Sequence, residues 1–147
     1  MGRILGIDHG EKSIGLALSD PMRIFATPFA VIRGEKALFA ELPELIEDRE
    51  IDSIVLGLPF NMDGSIGPQA QRVLAFKARM EKHLGSEGQR LGKALQVPIE
   101  TVDERLSSVE ADLKLQEGGV RRKDRGALID KVAAQILLQG YLDQTGS

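Results

Sequence analysis

The 147-residue sequence contains no cysteine and no tryptophan, and only 4% of its residues are aromatic. Without cysteine, neither a disulfide framework nor a thiolate metal site can form. With so few aromatic rings, stacking on bases cannot be the main way of recognising a nucleic acid. No apolar run approaches the ~18 residues that a membrane-spanning helix needs. The sequence therefore excludes disulfide-rich, thiolate-metal and helical membrane proteins.

The chain also lacks an excess of basic residues, since its net charge is −3 and its pI is about 5.5. A nucleic-acid-binding domain is usually basic, so the overall charge does not favour that function. A local basic patch, or acids that hold cations against phosphates, would still allow it. The N-terminus enters a strand-like pattern without a signal peptide, and we expect a cytoplasmic protein with one domain over residues 1–147.

The segment 3–20 predicts a β-hairpin around which the chain is organised. Two β-rich runs, Ile4–Ile7 and Ile14–Leu18, flank a polar turn that contains Gly10. Asp8 directly follows the first apolar run, where burial of an unpaired charge would be costly. We therefore expect Asp8 to be paired, hydrogen-bonded or bound to a metal ion.

The remaining pattern predicts three strands followed by alternating helices and strands. We expect a third strand over 24–32, with Pro28 at an edge or bulge, and two later strands over 51–58 and 97–102. Predicted helices cover 35–50, 69–84, a stretch up to residue 115, and 127–142, and Pro43 should divide or kink the first of them. Between these helices we expect a turn or insertion over 85–92 and a basic loop over 118–126. Three antiparallel strands extended by two parallel ones, with helices on both faces, match the ribonuclease H-like α/β fold.

Acidic residues occur at the ends of two predicted strands and on the last helix. Asp8 ends the first strand, Asp103 and Glu104 end the fifth, and Asp130 lies among small residues of the helix. Functional groups collect beyond the carboxyl ends of parallel strands, where oxygen ligands would suit Mg²⁺ or Mn²⁺. Two such ions about 4 Å apart activate water and stabilise the leaving oxygen of a phosphodiester. Each acid could instead be a helix cap or a salt-bridge partner.

Four motifs resemble those of the YqgF/RuvX family, in the same order and over almost the whole chain. They are Gly6-Ile7-Asp8-His9-Gly10 with Lys12, Gly57-Leu58-Pro59 followed by Met62-Asp63-Gly64-Ser65, Asp103-Glu104-Arg105-Leu106-Ser107-Ser108, and Asp130-Lys131-Val132-Ala133-Ala134. The resemblance implies a ribonuclease H-like nuclease that matures the 5′ end of pre-16S rRNA, or a Holliday junction resolvase acting on branched DNA.

The resemblance also implies that Asp8, Glu104 and Asp130 are the metal-binding acids and act in catalysis, and we expect them to bind two Mg²⁺ or Mn²⁺ ions. Asp103 is the alternative to Glu104, because neighbouring residues of a strand face opposite sides. Lys12, beside the first motif, is a candidate phosphate contact, and Arg105 is expected to pair with a site carboxylate or a phosphate.

Basic residues are densest near the start of the predicted last helix. This run either contacts phosphates without sequence specificity or forms a solvated loop, and it comprises Arg121, Arg122, Lys123 and Arg125. His9 adjoins Asp8 and could assist proton transfer, or it could be a turn residue without such a role.

Two other functions remain open from the sequence. An Asp followed by a Gly- and Lys-bearing turn also resembles the phosphate-binding hairpin of actin-like ATPases, and a non-catalytic RNA- or DNA-binding module could keep the same fold. The sequence does not decide between structured RNA and a DNA junction, or between a monomer and a homodimer.

Overall fold

The computed structural model describes residues 2–104, 117–119 and 122–145, and within the last helix it describes the side chains of residue 129 and residues 132–145. The elements follow the predicted order, apart from the helix expected up to residue 115, which lies outside the described residues. They are β1 Arg3–His9, β2 Ile14–Ser19, β3 Ala26–Ile32, α1 Glu35–Asp48, β4 Ile51–Leu58, α2 Pro68–Leu91, β5 Ile99–Asp103 and α3 Arg122–Thr145.

The five strands form one mixed sheet in the order β3-β2-β1-β4-β5. Short turns join β1, β2 and β3, which pair antiparallel, whereas β1, β4 and β5 run parallel and are connected through α1 and α2. The predicted arrangement of three antiparallel strands extended by two parallel ones is confirmed.

Side chains alternate between the two faces of the sheet along each strand. Both faces carry apolar side chains, and helices cover both of them. Leu5 and Ile7 of β1 face α1 and α2, in a core that includes Leu42, Phe76 and Met80. On the other face, a smaller core beneath α3 comprises Ile4, Ala17, Ala26, Val55, Ala134, Leu138 and Leu142. No helix in the described part of the chain is long and apolar enough to cross a membrane.

Helix α3 lies close against the sheet and is held there by polar contacts on both sides. At the β3 side, Gln139 accepts from the N–H of Ala26 at 2.9 Å and donates to the carbonyl of Ile24 at 2.9 Å. At the β5 side, the hydroxyl of Tyr141 donates to Glu100 Oε2 at 2.9 Å. These bonds fix the position of α3 relative to the strand ends.

Helix α2 is longer than predicted, and the turn expected over 85–92 was wrong. The alternative of an insertion there stays a prediction. The helix continues to Leu91 and ends at Gly92, whose φ of 66° is the left-handed conformation typical of a helix end. Its buried face extends from Leu84 to Gly88, one turn further. The glycines of this stretch suggested a turn, but tertiary packing of the face overrides their low helix propensity.

The last helix also begins earlier than predicted, at Arg122 rather than Ala127. The basic run over 122–126 is therefore helical, which corrects the loop expected there. The buried face of α3 comprises Ala133, Ala134, Leu137, Leu138 and Leu142, whereas Val132 and Ile136 are only half-buried. The small side chains of Ala133 and Ala134 allow the helix to pack closely against the sheet.

The two prolines predicted to disturb their elements have different effects. Pro28 lies in edge strand β3 beside an irregularity, since Leu16 pairs with Ala30 but Ala17 pairs with Pro28. The predicted edge position and bulge are both confirmed. Pro43 lies within α1, which remains one helix over its 14 residues, so Pro43 does not divide it, and the alternative of a kink stays a prediction.

Candidate active site

Asp8 is a buried carboxylate in the central strand of the sheet, with 8% of its surface exposed. It lies opposite Gly15 of β2, on the face of β1 that α3 covers. A carboxylate in such a place needs hydrogen bonds or a cation to offset the loss of water. The prediction that Asp8 is a buried carboxylate with a partner is therefore confirmed.

Glu104 follows β5 directly and meets Asp8 on the same face of the sheet. Its N–H donates to the carbonyl of Leu58 at 3.3 Å, which continues the pairing of β4 with β5 by one residue. The residue is partly exposed, but its Oε2 is buried. The carboxyl groups of Glu104 and Asp8 are hydrogen-bonded to each other.

Gly57 explains how two residues on non-adjacent strands can touch. Strand β4 lies between β1 and β5, and Gly57 lies between Asp8 and Glu104, because Ile7 pairs with Leu56 and Gly57 pairs with Val102. A Cβ at Gly57 would overlap Glu104 Oε2 and would lie 2.9 Å from Glu104 Cδ and 3.0 Å from Leu137 Cδ2. The missing side chain provides the space through which the longer glutamate reaches Asp8.

Burial and like charge together raise the pKa of Glu104 to about 10. Desolvation is the largest cause, followed by the hydrogen bond to Asp8 and by the negative charges of Asp8 and Asp103. At neutral pH and without a cation, the two carboxyl groups therefore share a proton. A group of acids that cannot all ionise by themselves is typical of a functional site.

Asp103 lies on the other side of the strand from Glu104. Side-chain alternation directs it away from the α3 face, and the residue is exposed. Its charge still contributes to the raised pKa of Glu104. Of the two alternatives left open by the sequence, the geometry favours Glu104 as the partner of Asp8.

The position of Asp130 is consistent with a third acid, although its side chain is not described. It lies one helical turn before Ala134 and two before Leu137, whose Cδ2 lies beside Gly57. Among the described residues there is no group of three His, Cys, Asp or Glu side chains that could hold a metal ion. The assignment of Asp130 as a ligand stays a prediction.

The predicted phosphate contacts are spread over several parts of the chain. Lys12 is exposed beside a cavity at the β1–β2 turn. Arg105 and Arg121 lie outside the described residues, and Arg122, Lys123 and Arg125 belong to α3 with side chains that are not described. Their roles stay predictions.

His9 lies on the opposite face of β1 from Asp8. Its ring packs against Phe76 of α2, with 4.3 Å between the ring centroids. Desolvation lowers its pKa, although the charges of Glu35 and Asp8 oppose this change. The imidazole does not lie with the carboxyl pair, which favours the alternative that His9 has no role in proton transfer there.

Sequence reasoning placed Gly57 in the second motif but gave it no structural role, and it did not single out the arginines of α2. A glycine inside an otherwise apolar, β-branched strand is a signal for close approach of another group, and it could have identified Gly57. Arg72 and Arg79 are seven residues apart, which places them on one side of α2 near the β1–β2 turn. That spacing alone does not distinguish them from an ordinary solvated helix face.

Comparison with known proteins identifies the family. The sequence profile of RuvX, described as "Holliday junction resolvase", matches residues 2–144. A protein of Clostridium acetobutylicum named "Putative pre-16S rRNA nuclease" is 45% identical over 143 residues, covering 96% of this chain and 98% of the relative. A Rhodobacter capsulatus protein of the same name is 43% identical over 146 residues, covering 98% of this chain and 85% of the relative.

A solved structure confirms the predicted fold. "T. thermophilus RuvC in complex with Holliday junction substrate" matches with a TM-score of 0.54 at 13% identity, covering 99% of this chain and 97% of that chain. At this level of identity the match concerns the ribonuclease H-like fold alone. The extent of the sequence matches, over nearly the full length of both relatives, shows that the chain belongs to the RuvX family.

Proposed function

We propose that the protein is a divalent-metal-dependent nuclease whose active site contains Asp8 and Glu104. The observation that carries this proposal is the hydrogen-bonded carboxyl pair at the carboxyl ends of parallel strands, with the pKa of Glu104 raised to about 10. Structural ion pairs join opposite charges, whereas this site forces two acids together. The family is one of nucleases, which are hydrolases acting on ester bonds.

The described residues fit Mg²⁺ or Mn²⁺ better than a softer metal. The pair offers only carboxylate oxygens, and the sequence has no cysteine. A cation between Asp8 and Glu104 would remove the repulsion that now keeps a proton on the pair. Gly57 leaves the space that the Glu104 carboxylate needs. Asp130, placed on α3 near this edge, would complete an oxygen ligand set.

The chain's own groups would have distinct roles in hydrolysis. A divalent ion, when bound, supplies charge neutralisation at the phosphate and lowers the pKa of water. Asp8 and Glu104 would hold the ion, and their carboxyl groups would do so with their shared proton lost to solvent. The β4 backbone orients Glu104 through the carbonyl of Leu58. The apolar side chains beneath α3 exclude water from the side of the site that faces the core.

For the substrate, we infer structured RNA, and specifically the precursor of 16S rRNA. The relatives that match this chain over nearly their whole length carry that substrate in their names. The family description favours a second candidate, a DNA Holliday junction. A substrate in rRNA maturation would place the protein in the cytoplasm. End trimming needs one active site, whereas symmetric junction cleavage would need a homodimer.

A direct comparison of substrates tests this proposal. Purified protein is incubated with a precursor 16S rRNA fragment and, separately, with a synthetic four-way DNA junction, each in Mn²⁺, Mg²⁺ or EDTA. We expect metal-dependent cleavage of the RNA near the mature 5′ end and little cleavage of the junction. Paired symmetric cuts in the junction with intact RNA would instead favour the resolvase. Binding of both substrates without cleavage in either metal would refute a nuclease.

A further inference from the structure

A groove lies on the opposite face of the sheet from the carboxyl pair. Two adjoining cavities of about 310 Å³ and 280 Å³ share His9, Glu11 and Arg72 in their walls. The larger one extends along the β1–β2 turn to Lys12 and Arg79, and the smaller one reaches Pro59 at the end of β4. The groove therefore borders the same strand ends as the candidate active site.

Two arginines of the groove are bonded to acids, Arg72 to exposed Glu11 and Arg79 to half-buried Glu35. Arg72 Nη1 lies 3.1 Å from Glu11 Oε1, and both side chains are well exposed, at 61% and 68%. Arg79 makes two bonds to Glu35, at 2.7 Å and 2.8 Å. Exposed ion pairs contribute little to stability, so a phosphate can replace the acid at small cost. The single contact to Glu11 makes Arg72 the easier of the two to release.

The groove and the carboxyl pair are connected through consecutive residues of β1. Asp8 directs its side chain to the α3 face, and His9 directs its ring to the α2 face against Phe76. A nucleic acid strand crossing the carboxyl edge of the sheet would therefore pass from one to the other. Guanidinium groups match phosphate oxygens with two parallel hydrogen bonds.

We propose that this groove binds the phosphate backbone of the substrate strand next to the cleavage position, with Arg72 as a phosphate contact and Glu11 occupying its guanidinium in the free protein. The inference rests on the proposed nuclease function. It assigns the groove as a binding surface for one nucleic acid strand. Because the contact is to phosphate, it carries no sequence information of its own.

Two substitutions with opposite expected effects test the groove. In Arg72→Gln a phosphate contact is lost, whereas in Glu11→Gln the arginine is released and a negative charge facing the phosphate is removed. The chain offers a matched pair of controls on the same helix. Arg90 is 67% exposed and is bonded to Glu87 at 2.7 Å, far along α2 from the groove. The controls are Arg90→Gln and Glu87→Gln.

The measurement is the affinity for a fluorescein-labelled single-stranded RNA, followed by anisotropy in EDTA over a series of salt concentrations. We expect Arg72→Gln to weaken binding about three- to tenfold at low salt and to reduce the slope of log K against log salt by about 0.7. Glu11→Gln should tighten binding, and both controls should resemble the wild type. Equal behaviour of Arg72→Gln and Arg90→Gln, or no tightening in Glu11→Gln, would overturn the proposal.

Failure of the groove and failure of the nuclease function give different results. The binding assay contains no metal and needs no turnover. Wild-type protein that binds RNA with the expected variant pattern but never cleaves it would support the groove and refute the nuclease. Wild-type protein that cleaves RNA, while Arg72→Gln binds with unchanged affinity and salt slope, would refute the groove alone.

Discussion

Replacement of Glu104 by glutamine should stabilise the metal-free protein at neutral pH. The amide is uncharged and can donate a hydrogen bond to Asp8, as the protonated acid does in the wild type. The wild-type residue must instead take up a proton on folding, because its pKa rises from 4.5 to about 10. The substitution removes that cost while keeping the size of the side chain.

The sign and magnitude of this stability difference follow from the linkage between folding and proton binding. Above pH 4.5 the unfolded chain loses the Glu104 proton but the folded protein keeps it, so the wild-type free energy of unfolding falls as pH rises toward 10. At about 1.36 kcal/mol per pH unit, the cost at pH 7 is at most roughly 3 kcal/mol, because the residue is partly exposed. The advantage of Glu104→Gln should vanish near pH 4.5 and grow with each pH unit above it.

Urea unfolding in EDTA at several pH values between 4.5 and 8 measures this difference. An exposed glutamate of α1 provides the control, since Glu41→Gln removes the same charge from the surface. The control should show no comparable pH-dependent gain. A Glu104→Gln protein that is no more stable than the wild type at pH 7, or whose stability difference from the wild type does not change with pH, would show that Glu104 does not take up a proton on folding.

Two further predictions concern the packing that forms the site. Gly57→Ala should destabilise the protein by about 1–3 kcal/mol in urea unfolding and impair metal-dependent cleavage, since the new Cβ would displace the Glu104 carboxyl group. The control is Gly140→Ala, which should show neither effect in the same assays because nothing lies within 4 Å of its Cβ. Gln139→Ala should lower the free energy of unfolding in urea by about 1–3 kcal/mol, because the hydrogen bonds from Gln139 to Ala26 and Ile24 are lost. Unchanged stability would show that these bonds do not hold α3 against the sheet.

The strands and the unusual character of Asp8 could be predicted from the sequence because each depends on local pattern. Ile51–Leu58 is apolar and β-branched over the length of a buried strand, and its observed bounds agree with the prediction. A carboxylate at the end of such a run is informative by itself, since burial of a charge is costly. Local sequence was sufficient for both.

The choice between Asp103 and Glu104 needed the register of the sheet. Alternation predicts that only one faces the site, but which one depends on how β5 pairs with β4 and on which face carries α3. The extension of α2 through Gly85 and Gly88 was likewise decided by packing against the rest of the chain. These features depend on residues distant in sequence, so periodicity could not supply them.

We propose the Asp8–Glu104 pair as the metal-dependent cleavage centre. The most direct measurement is the single-turnover rate of cleavage of a precursor 16S rRNA fragment in Mn²⁺ by wild-type protein and by Asp8→Asn, with circular dichroism showing that both are folded. We expect cleavage by the wild type and none by the variant, although the variant still binds the RNA. Undiminished, metal-dependent cleavage by folded Asp8→Asn protein would contradict it.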